Sequence, residues 1–199
     1  MSTSSPALAL FAGVAAFIAV CVASPSIAFA AGGGGGSSGG SSGNGGSSEP
    51  PVKTETTTKC KNGKIWSAQK KMCVKAQKNS FNDDQLYDAA RELAYDGQYD
   101  NAIHILLLAS NQQDPRILNY LGFANRKAGR MDVGMEYYRQ ALKTDPNYIM
   151  ARSYMGEALL LQGDREGARV QLVEIRDRGG ENTWAYRALL QALNGYSAY

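Results

Sequence analysis

The stretch that decides the fold of this chain is one pattern present in three copies: Gly97-x-Tyr99-x-x-Ala102, Gly129-x-Met131-x-x-Gly134 and Gly163-x-Arg165-x-x-Ala168. The leading glycines of the three copies follow one another at a nearly constant interval. A fixed period of this length is typical of helical repeat arrays, in which each unit buries its apolar face only by stacking on its neighbours. Such arrays serve as binding surfaces far more often than as catalysts.

Each copy of the pattern lies between two amphipathic stretches. Before the first copy, Leu86, Ala90 and Leu93 are spaced four and three residues apart, and after it Ile103 and Leu106 are spaced three apart. This spacing predicts a helix on either side of the pattern. The glycine between them suits a helix end that needs a left-handed backbone. Asp114-Pro115 is typical of an N-cap followed by proline in the first helical turn.

Small residues recur where the two helices of a pair are expected to cross. On the first helices they are Ala90, Gly122 and Gly156, and on the second helices Ala102, Gly134 and Ala168. Residues this small let paired helices approach closely, while large residues fill the gaps beside them. Glycine costs about 1 kcal/mol relative to alanine in a helix interior, so Gly134 predicts a locally softer second pair.

These features resemble the tetratricopeptide repeat (TPR) family. The best match is the unit at about 115–148, through Leu121-Gly122, Gly129, Tyr138, Ala141-Leu142 and Asp145-Pro146. The other units lie at about 83–114 and 149–180, and a helix at 182–193 is expected to cap the open end, with Asn182 or Thr183 as its N-cap. The resemblance implies an all-α fold for 81–199, an α-solenoid of three TPR helix-turn-helix units plus a C-terminal capping helix.

The resemblance also implies where a partner binds, because the first helix of each TPR unit lines a concave groove. The residues at the groove positions are Tyr87, Arg91, Tyr95, Asn119, Phe123, Arg126, Lys127, Ser153, Glu157 and Leu160. We expect Phe123 to be an exposed aromatic anchor for a peptide. Arg91 and Arg126 are each expected to bind a carboxylate through bidentate hydrogen bonds.

The segment 1–30 predicts a secretory signal peptide. An apolar run from Ala7 to Val22 is followed by Ala28-x-Ala30, where small residues suit cleavage after Ala30. The segment before the run has no Lys or Arg. We therefore expect an exported protein, periplasmic or secreted. An uncleaved N-terminal helix that anchors the chain is the alternative.

Residues 31–52 are expected to form a disordered linker, because 32–48 are glycine and serine with one asparagine. The segment 53–80, here called the basic lobe, carries eight lysines and one glutamate. The following 81–199 carry 13 basic and 16 acidic residues. The formal net charge of +3 for the whole chain thus hides one strongly basic segment.

The basic lobe contains Cys60 and Cys73, which would be the two cysteines of the mature chain after signal cleavage. An even count in an exported protein favours a disulfide. Asn62-Gly63 favours a tight hairpin turn, and Ile65 and Trp66 supply most of the apolar mass. One interpretation is a stapled knob that docks on the acidic first unit. The other is a loop that contacts an anionic glycan or a membrane surface.

Features of enzymes, metal sites and nucleic-acid binders are missing from the sequence. His104 is the only histidine, and no nucleophile elbow, phosphate loop or zinc-protease motif occurs. Two cysteines and one histidine do not complete a four-ligand zinc site. Export argues against nucleic acid. We predict a non-catalytic protein without a cofactor, a scaffold or assembly factor for protein–protein interaction in the bacterial cell envelope. The alternative is a glycan or anionic-surface binding protein that acts through the basic lobe.

Overall fold

The computed structural model describes residues 49–196, so the predicted signal peptide and most of the predicted linker lie outside the described residues. The described chain is mostly helical, as expected. Its elements are α1 (Glu55–Thr58), β1 (Ile65–Ser67), β2 (Met72–Val74), α2 (Asp83–Tyr95), α3 (Tyr99–Leu106), α4 (Pro115–Lys127), α5 (Met131–Thr144), α6 (Ile149–Leu161), α7 (Arg165–Asp177) and α8 (Trp184–Leu193).

The longer helices pack in consecutive pairs. Helix α2 packs on α3, α4 on α5, and α6 on α7, and contacts between α3 and α4 and between α5 and α6 join each pair to the next. The first helices also contact one another, α2 with α4 and α4 with α6. One continuous hydrophobic core therefore runs from α2 to α6. Its largest fully buried side chains include Tyr120, Phe123, Tyr138 and Tyr154.

The repeated glycine ends the first helix of each pair. Gly97, Gly129 and Gly163 have φ values of +82°, +85° and +84°, the left-handed conformation that favours glycine. The prediction for these positions is confirmed. The N-cap at Asp114 is confirmed as well, because its side chain accepts the Arg116 backbone N–H at 2.8 Å.

Helices α4 and α5 approach most closely where two glycines meet. A Cβ atom on Gly134 would lie 2.8 Å from the carbonyl oxygen of Gly122, and a Cβ on Gly122 would lie 2.6 Å from the Tyr138 ring. Neither position has room for a methyl group. The packing of the two helices therefore requires glycine at position 134. The expectation that Gly134 softens this pair considered helix propensity alone and did not include the contact with Gly122.

The last helix, α8, packs against α6 and α7. Its N-cap is Thr183, whose hydroxyl accepts the Tyr186 backbone N–H at 3.3 Å. Leu189 fits against Gly156, where a Cβ would lie 2.6 Å from a Leu189 methyl. Leu189 and Leu193 join α7 residues in a small second core. This packing is what a helix that covers the end of the array requires.

The basic lobe contains a small β-ladder that an all-α expectation did not include. Strands β1 and β2 are antiparallel, with Trp66 opposite Cys73. The strands are joined through residues 68–71, where Lys71 has a φ of +50°. Asn62-Gly63 forms a tight turn, as predicted, but the turn precedes β1 and does not join the strands. The Cys60 and Cys73 sulfurs are bonded to each other, and formation of this disulfide stays a prediction, as does export of the protein.

The buried carboxylate of Glu92, on α2, accepts hydrogen bonds from the basic lobe. Glu92 is 5% exposed and accepts hydrogen bonds from the backbone N–H and the hydroxyl of Thr54, both at 2.6 Å. It also accepts the backbone N–H of Thr57 at 3.2 Å and its hydroxyl at 2.5 Å. Beside it, Lys53 pairs with Asp96 at 2.7 Å. The lobe is therefore held on α2 by hydrogen bonds from threonines to a carboxylate and by one lysine–aspartate pair. In addition, Ile65 and Ala76 of the lobe belong to the same hydrophobic cluster as residues of α2.

The contact between Gly134 and Gly122 leads to a prediction for stability. In Gly134→Ala the added methyl meets backbone atoms, so we expect overpacking to cost about 2–3 kcal/mol, the upper part of the usual range. The gain in helix propensity of about 1 kcal/mol offsets part of this cost, which leaves a net destabilisation of about 1–2 kcal/mol. Chemical denaturation of the full chain measures the difference. The control is Val133→Ala at the neighbouring exposed position of α5, expected to stay within about 0.5 kcal/mol. Equal stability of Gly134→Ala and the natural chain would contradict the packing argument.

The Glu92 contact leads to a second prediction. Glu92→Gln keeps the shape of the side chain but removes the charge and replaces one acceptor oxygen with a donor. We expect a loss of about 1.5–3 kcal/mol, the range for hydrogen bonds to charged groups, and faster proteolytic cleavage in the basic lobe. Asp96→Asn is the matched control, because it neutralises a carboxylate whose ion pair is with an exposed lysine and is worth about 0–1 kcal/mol, and the hydrogen bond from Gln98 can still be accepted by the amide oxygen. Equal protease resistance of the two variants would show that Glu92 does not hold the lobe.

Candidate functional site

The residues predicted for a partner groove all lie on the first helices of the pairs. Listed by helix, they are Tyr87, Arg91 and Tyr95 on α2, then Asn119, Phe123, Arg126 and Lys127 on α4, and Ser153, Glu157 and Leu160 on α6. Tyr95, Lys127 and Leu160 are half-buried. The others are buried: Tyr87, Arg91, Asn119, Phe123, Arg126, Ser153 and Glu157. The described chain thus gathers these side chains on one side of the array but does not leave most of them open.

Phe123 lies at the centre of this group and is 1% exposed, so the exposure expected for it is wrong. Its ring stacks on Tyr95 of α2 with centroids 5.3 Å apart, and its centroid lies 5.0 Å from that of Tyr154 on α6. The hydroxyls of Tyr95 and Tyr154 are 2.8 Å apart and share a hydrogen bond. Phe123 is buried because aromatic side chains from the neighbouring first helices pack on it.

Charged side chains surround the aromatic centre. Arg126 of α4 pairs with Glu157 of α6 at 3.1 Å, and the two side chains are only 3% and 9% exposed. The Arg126 Nε also donates to the Tyr138 hydroxyl at 3.3 Å. On α2, Arg91 donates from Nε to the Tyr120 hydroxyl at 2.9 Å. We call this group the first-helix cluster; its members are Arg91, Tyr95, Tyr120, Phe123, Arg126, Lys127, Tyr154 and Glu157.

Burial and neighbouring charge shift the acidities in the first-helix cluster. Burial lowers the pKa of Lys127, and the adjacent Arg126 lowers it further, while Glu157 acts in the opposite direction. Burial raises the pKa of Tyr95 and of Tyr120. Burial also raises the pKa of Tyr138 to about 12, so these hydroxyls stay protonated at neutral pH. The cluster therefore combines neutral phenols with closely spaced cations that favour an anionic neighbour.

Buried polar groups close to the cluster differ in how they are paired. The Ser153 hydroxyl donates to the carbonyl of Ala185 on α8 at 2.8 Å. Asn119 is fully buried, and neither its amide oxygen nor its amide nitrogen has a hydrogen-bond partner within residues 49–196. The same holds for the hydroxyls of Tyr87 and Tyr148. Unpaired buried polar groups are rare in native proteins and indicate strain, water or a ligand.

The sequence reasoning missed two aromatic residues of this region. Tyr120 and Tyr154 complete the cluster, and Trp184 at the start of α8 has its ring centroid 6.5 Å from that of Tyr154. The interval from Tyr120 to Tyr154 equals the interval from Gly129 to Gly163, which is the period of the array. That recurrence was a signal that the two tyrosines share one structural position, and it was available from the sequence.

The basic lobe is a second candidate. All eight of its lysines are exposed. Within residues 49–196, Lys53 pairs with Asp96 and Lys59 with Glu55, and the other six have no acidic partner within 4.0 Å. The Lys59 ammonium lies 5.1 Å from the centre of the Trp66 ring. The lobe thus presents unneutralised positive charge on a folded support.

A cleft of about 570 Å³ separates the basic lobe from α2. Its walls include Trp66, Gln69 and Lys70 on the hairpin side and Gln85 and Asp88 on the helix side. Clefts of about 300–1,000 Å³ are typical of small-molecule sites.

Residues 49–196 contain no group of three or more metal-ligating side chains that could hold a metal ion. His104 is exposed on α3. No helix among these residues has the length and apolar character needed to cross a lipid bilayer.

Comparison with known proteins gives structural likeness to solved chains but no family. No protein-family model matches the chain, and no curated protein matches it. A solved structure that is similar is described as the type III secretion translocator chaperone SycD of Yersinia enterocolitica. It is 19% identical, aligns with a TM-score of 0.48, and covers 56% of this chain and 81% of its own.

Proposed function

We propose that this chain is an exported, non-catalytic scaffold or assembly factor that binds a protein partner through the first-helix cluster of three TPR units. The observation that carries the proposal is the cluster itself. Equivalent positions of α2, α4 and α6 place two arginines, a lysine, a glutamate and four aromatic rings on one side of the array. An array that needed only stability would fill these positions with apolar side chains, since removing charges from water costs several kcal/mol per ion.

The chemistry of the cluster indicates the class of partner. Lys127 and Arg126 are adjacent cations, and both lie over the Phe123 ring, at 5.8 and 5.6 Å from its centre. Arg91 donates to the backbone carbonyl of Glu49, so it already binds an extended segment through a main-chain acceptor. We therefore expect a peptide with an acidic side chain or a terminal carboxylate, which pairs with arginine better than a neutral carbonyl does.

Access to the cluster follows from the exposure of its members. Lys127 and Tyr95 are half-buried, whereas Arg126 and Phe123 are buried. A partner thus meets Lys127 and Tyr95 first. Its carboxylate then competes with the Glu49 carbonyl for Arg91.

The partner hypothesis predicts the effect of reversing one charge. Lys127→Glu should weaken partner capture at least tenfold, because a carboxylate at the edge of the cluster repels an acidic peptide; tenfold corresponds to about 1.4 kcal/mol. The measurement is quantitative affinity capture from a native envelope extract with the full chain as bait. Lys143→Glu, the same change at an exposed position on α5, should retain the partner. Equal capture by both variants of every protein retained by the natural chain would contradict the proposal.

A second candidate function is contact with an acidic glycan or an anionic membrane surface through the basic lobe. The specific observation in its favour is the exposure of all eight lysines, six of them without an acidic partner within 4.0 Å in residues 49–196. A basic residue near an anionic surface contributes about 1 kcal/mol, and salt screens this attraction. Replacing all six lysines without an acidic partner with glutamine should therefore abolish salt-sensitive retention on such a surface and leave capture through the cluster intact; the six are Lys61, Lys64, Lys70, Lys71, Lys75 and Lys78.

A further inference from the structure

We infer that the cleft between the basic lobe and α2 binds an acidic saccharide. The inference deepens the second candidate function, on which it rests, by assigning the contact to a shaped site in place of diffuse charge. The contacts that it assigns lie outside the first-helix cluster, and Arg91 is the one cluster member that also lines the cleft.

The cleft is built on a fixed support. Its back includes Thr54 and Thr56, and Thr54 is tied to α2 by the two hydrogen bonds to Glu92. The Thr56 hydroxyl accepts the backbone N–H of Trp66 at 3.2 Å, which fixes β1 on α1. The opposite wall is a regular helix. Both walls are therefore held before a ligand arrives, which lowers the cost of binding.

The walls carry the groups that recognise sugar rings. Trp66 lines the cleft and is half-buried, so its indole offers a flat apolar surface for the C–H face of a sugar. Gln69 and Gln77 also line it and are exposed. A carboxamide both donates and accepts hydrogen bonds, as a sugar hydroxyl does. An apolar ligand would leave these amides without partners, and a purely ionic one would not use the indole.

Charge in the cleft favours an acidic sugar over a neutral one. Lys70 and Lys75 line the cleft, are exposed, and have no acidic group within 4.0 Å among residues 49–196. Glu92 is occupied by Thr54 and Thr57. This leaves Asp88 as the exposed carboxylate of the lining, against two lysines. A carboxylate on the saccharide would pair with a lysine, and Asp88 would accept from a hydroxyl.

The test measures binding of two matched probes to the full chain by isothermal titration calorimetry. The probes are trigalacturonate, which carries carboxylates, and galactotriose, which is neutral. We expect trigalacturonate to bind at least tenfold more tightly. Trp66→Ala should weaken both probes at least tenfold, and Lys70→Gln with Lys75→Gln should remove the preference for the acidic probe. Thermal unfolding of each variant reports whether it is folded. If Trp66→Ala does not fold, the glutamine variant, changed only at exposed positions, still decides.

The control variant carries Lys61→Gln and Lys64→Gln, exposed lysines that do not line the cleft. It should bind trigalacturonate within twofold of the natural chain. Equal losses in the control and in the Lys70, Lys75 variant would overturn the cleft and leave a diffuse basic surface, so the second candidate function would stand. If neither probe binds at millimolar concentration, the cleft is not a saccharide site. Absence of salt-sensitive retention on any anionic surface would in addition overturn the second candidate function.

Discussion

The close approach of α4 and α5 at Gly122 and Gly134 is the constraint on which the rest of the structure depends. With no side chain on either residue, the carbonyl of Gly122 fits under Gly134 and the Tyr138 ring fits over Gly122. That placement brings the Tyr138 hydroxyl within 3.3 Å of Arg126. Gly156 plays the same part, because the absence of a side chain there leaves room for Leu189 of α8. Helix spacing and the position of the first-helix cluster thus have one cause.

The first-helix cluster differs from an ordinary core in what its burial costs. An arginine–glutamate pair that is nearly fully buried loses hydration that its mutual attraction repays only with good geometry and further hydrogen bonds. Arg126 has such a further bond, to Tyr138. Asn119, on the same helix, is buried with an amide that no group among residues 49–196 satisfies. These costs fall on the side of the array where equivalent positions line up, which is why we place function there.

The sequence predicted the regular parts of the fold because each is set by a local rule. Glycine tolerates the left-handed backbone at position 97, and Asp114 followed by proline starts a helix. The sequence did not predict that the cluster is buried. Phe123 is covered by rings from two other helices, α2 and α6, which are distant in the sequence. The Thr54–Glu92 contact escaped prediction for the same reason: a threonine in a lysine-rich segment carries no sign of its distant acceptor.

Two adjacent residues of α2 connect the two candidate sites. Glu92 holds Thr54 of the basic lobe, and Arg91, one position earlier, binds the carbonyl of Glu49 and the hydroxyl of Tyr120 in the cluster. The chain between residues 49 and 54 therefore runs from one site to the other. On the proposed function, a partner carboxylate that takes Arg91 from Glu49 would free the segment before Lys53 without loosening the lobe, because the Glu92 bonds lie beyond it. On the same proposal, the lobe stays attached through Glu92 while the cluster holds its partner, and Arg91, which also lines the cleft, is the residue that the two sites share.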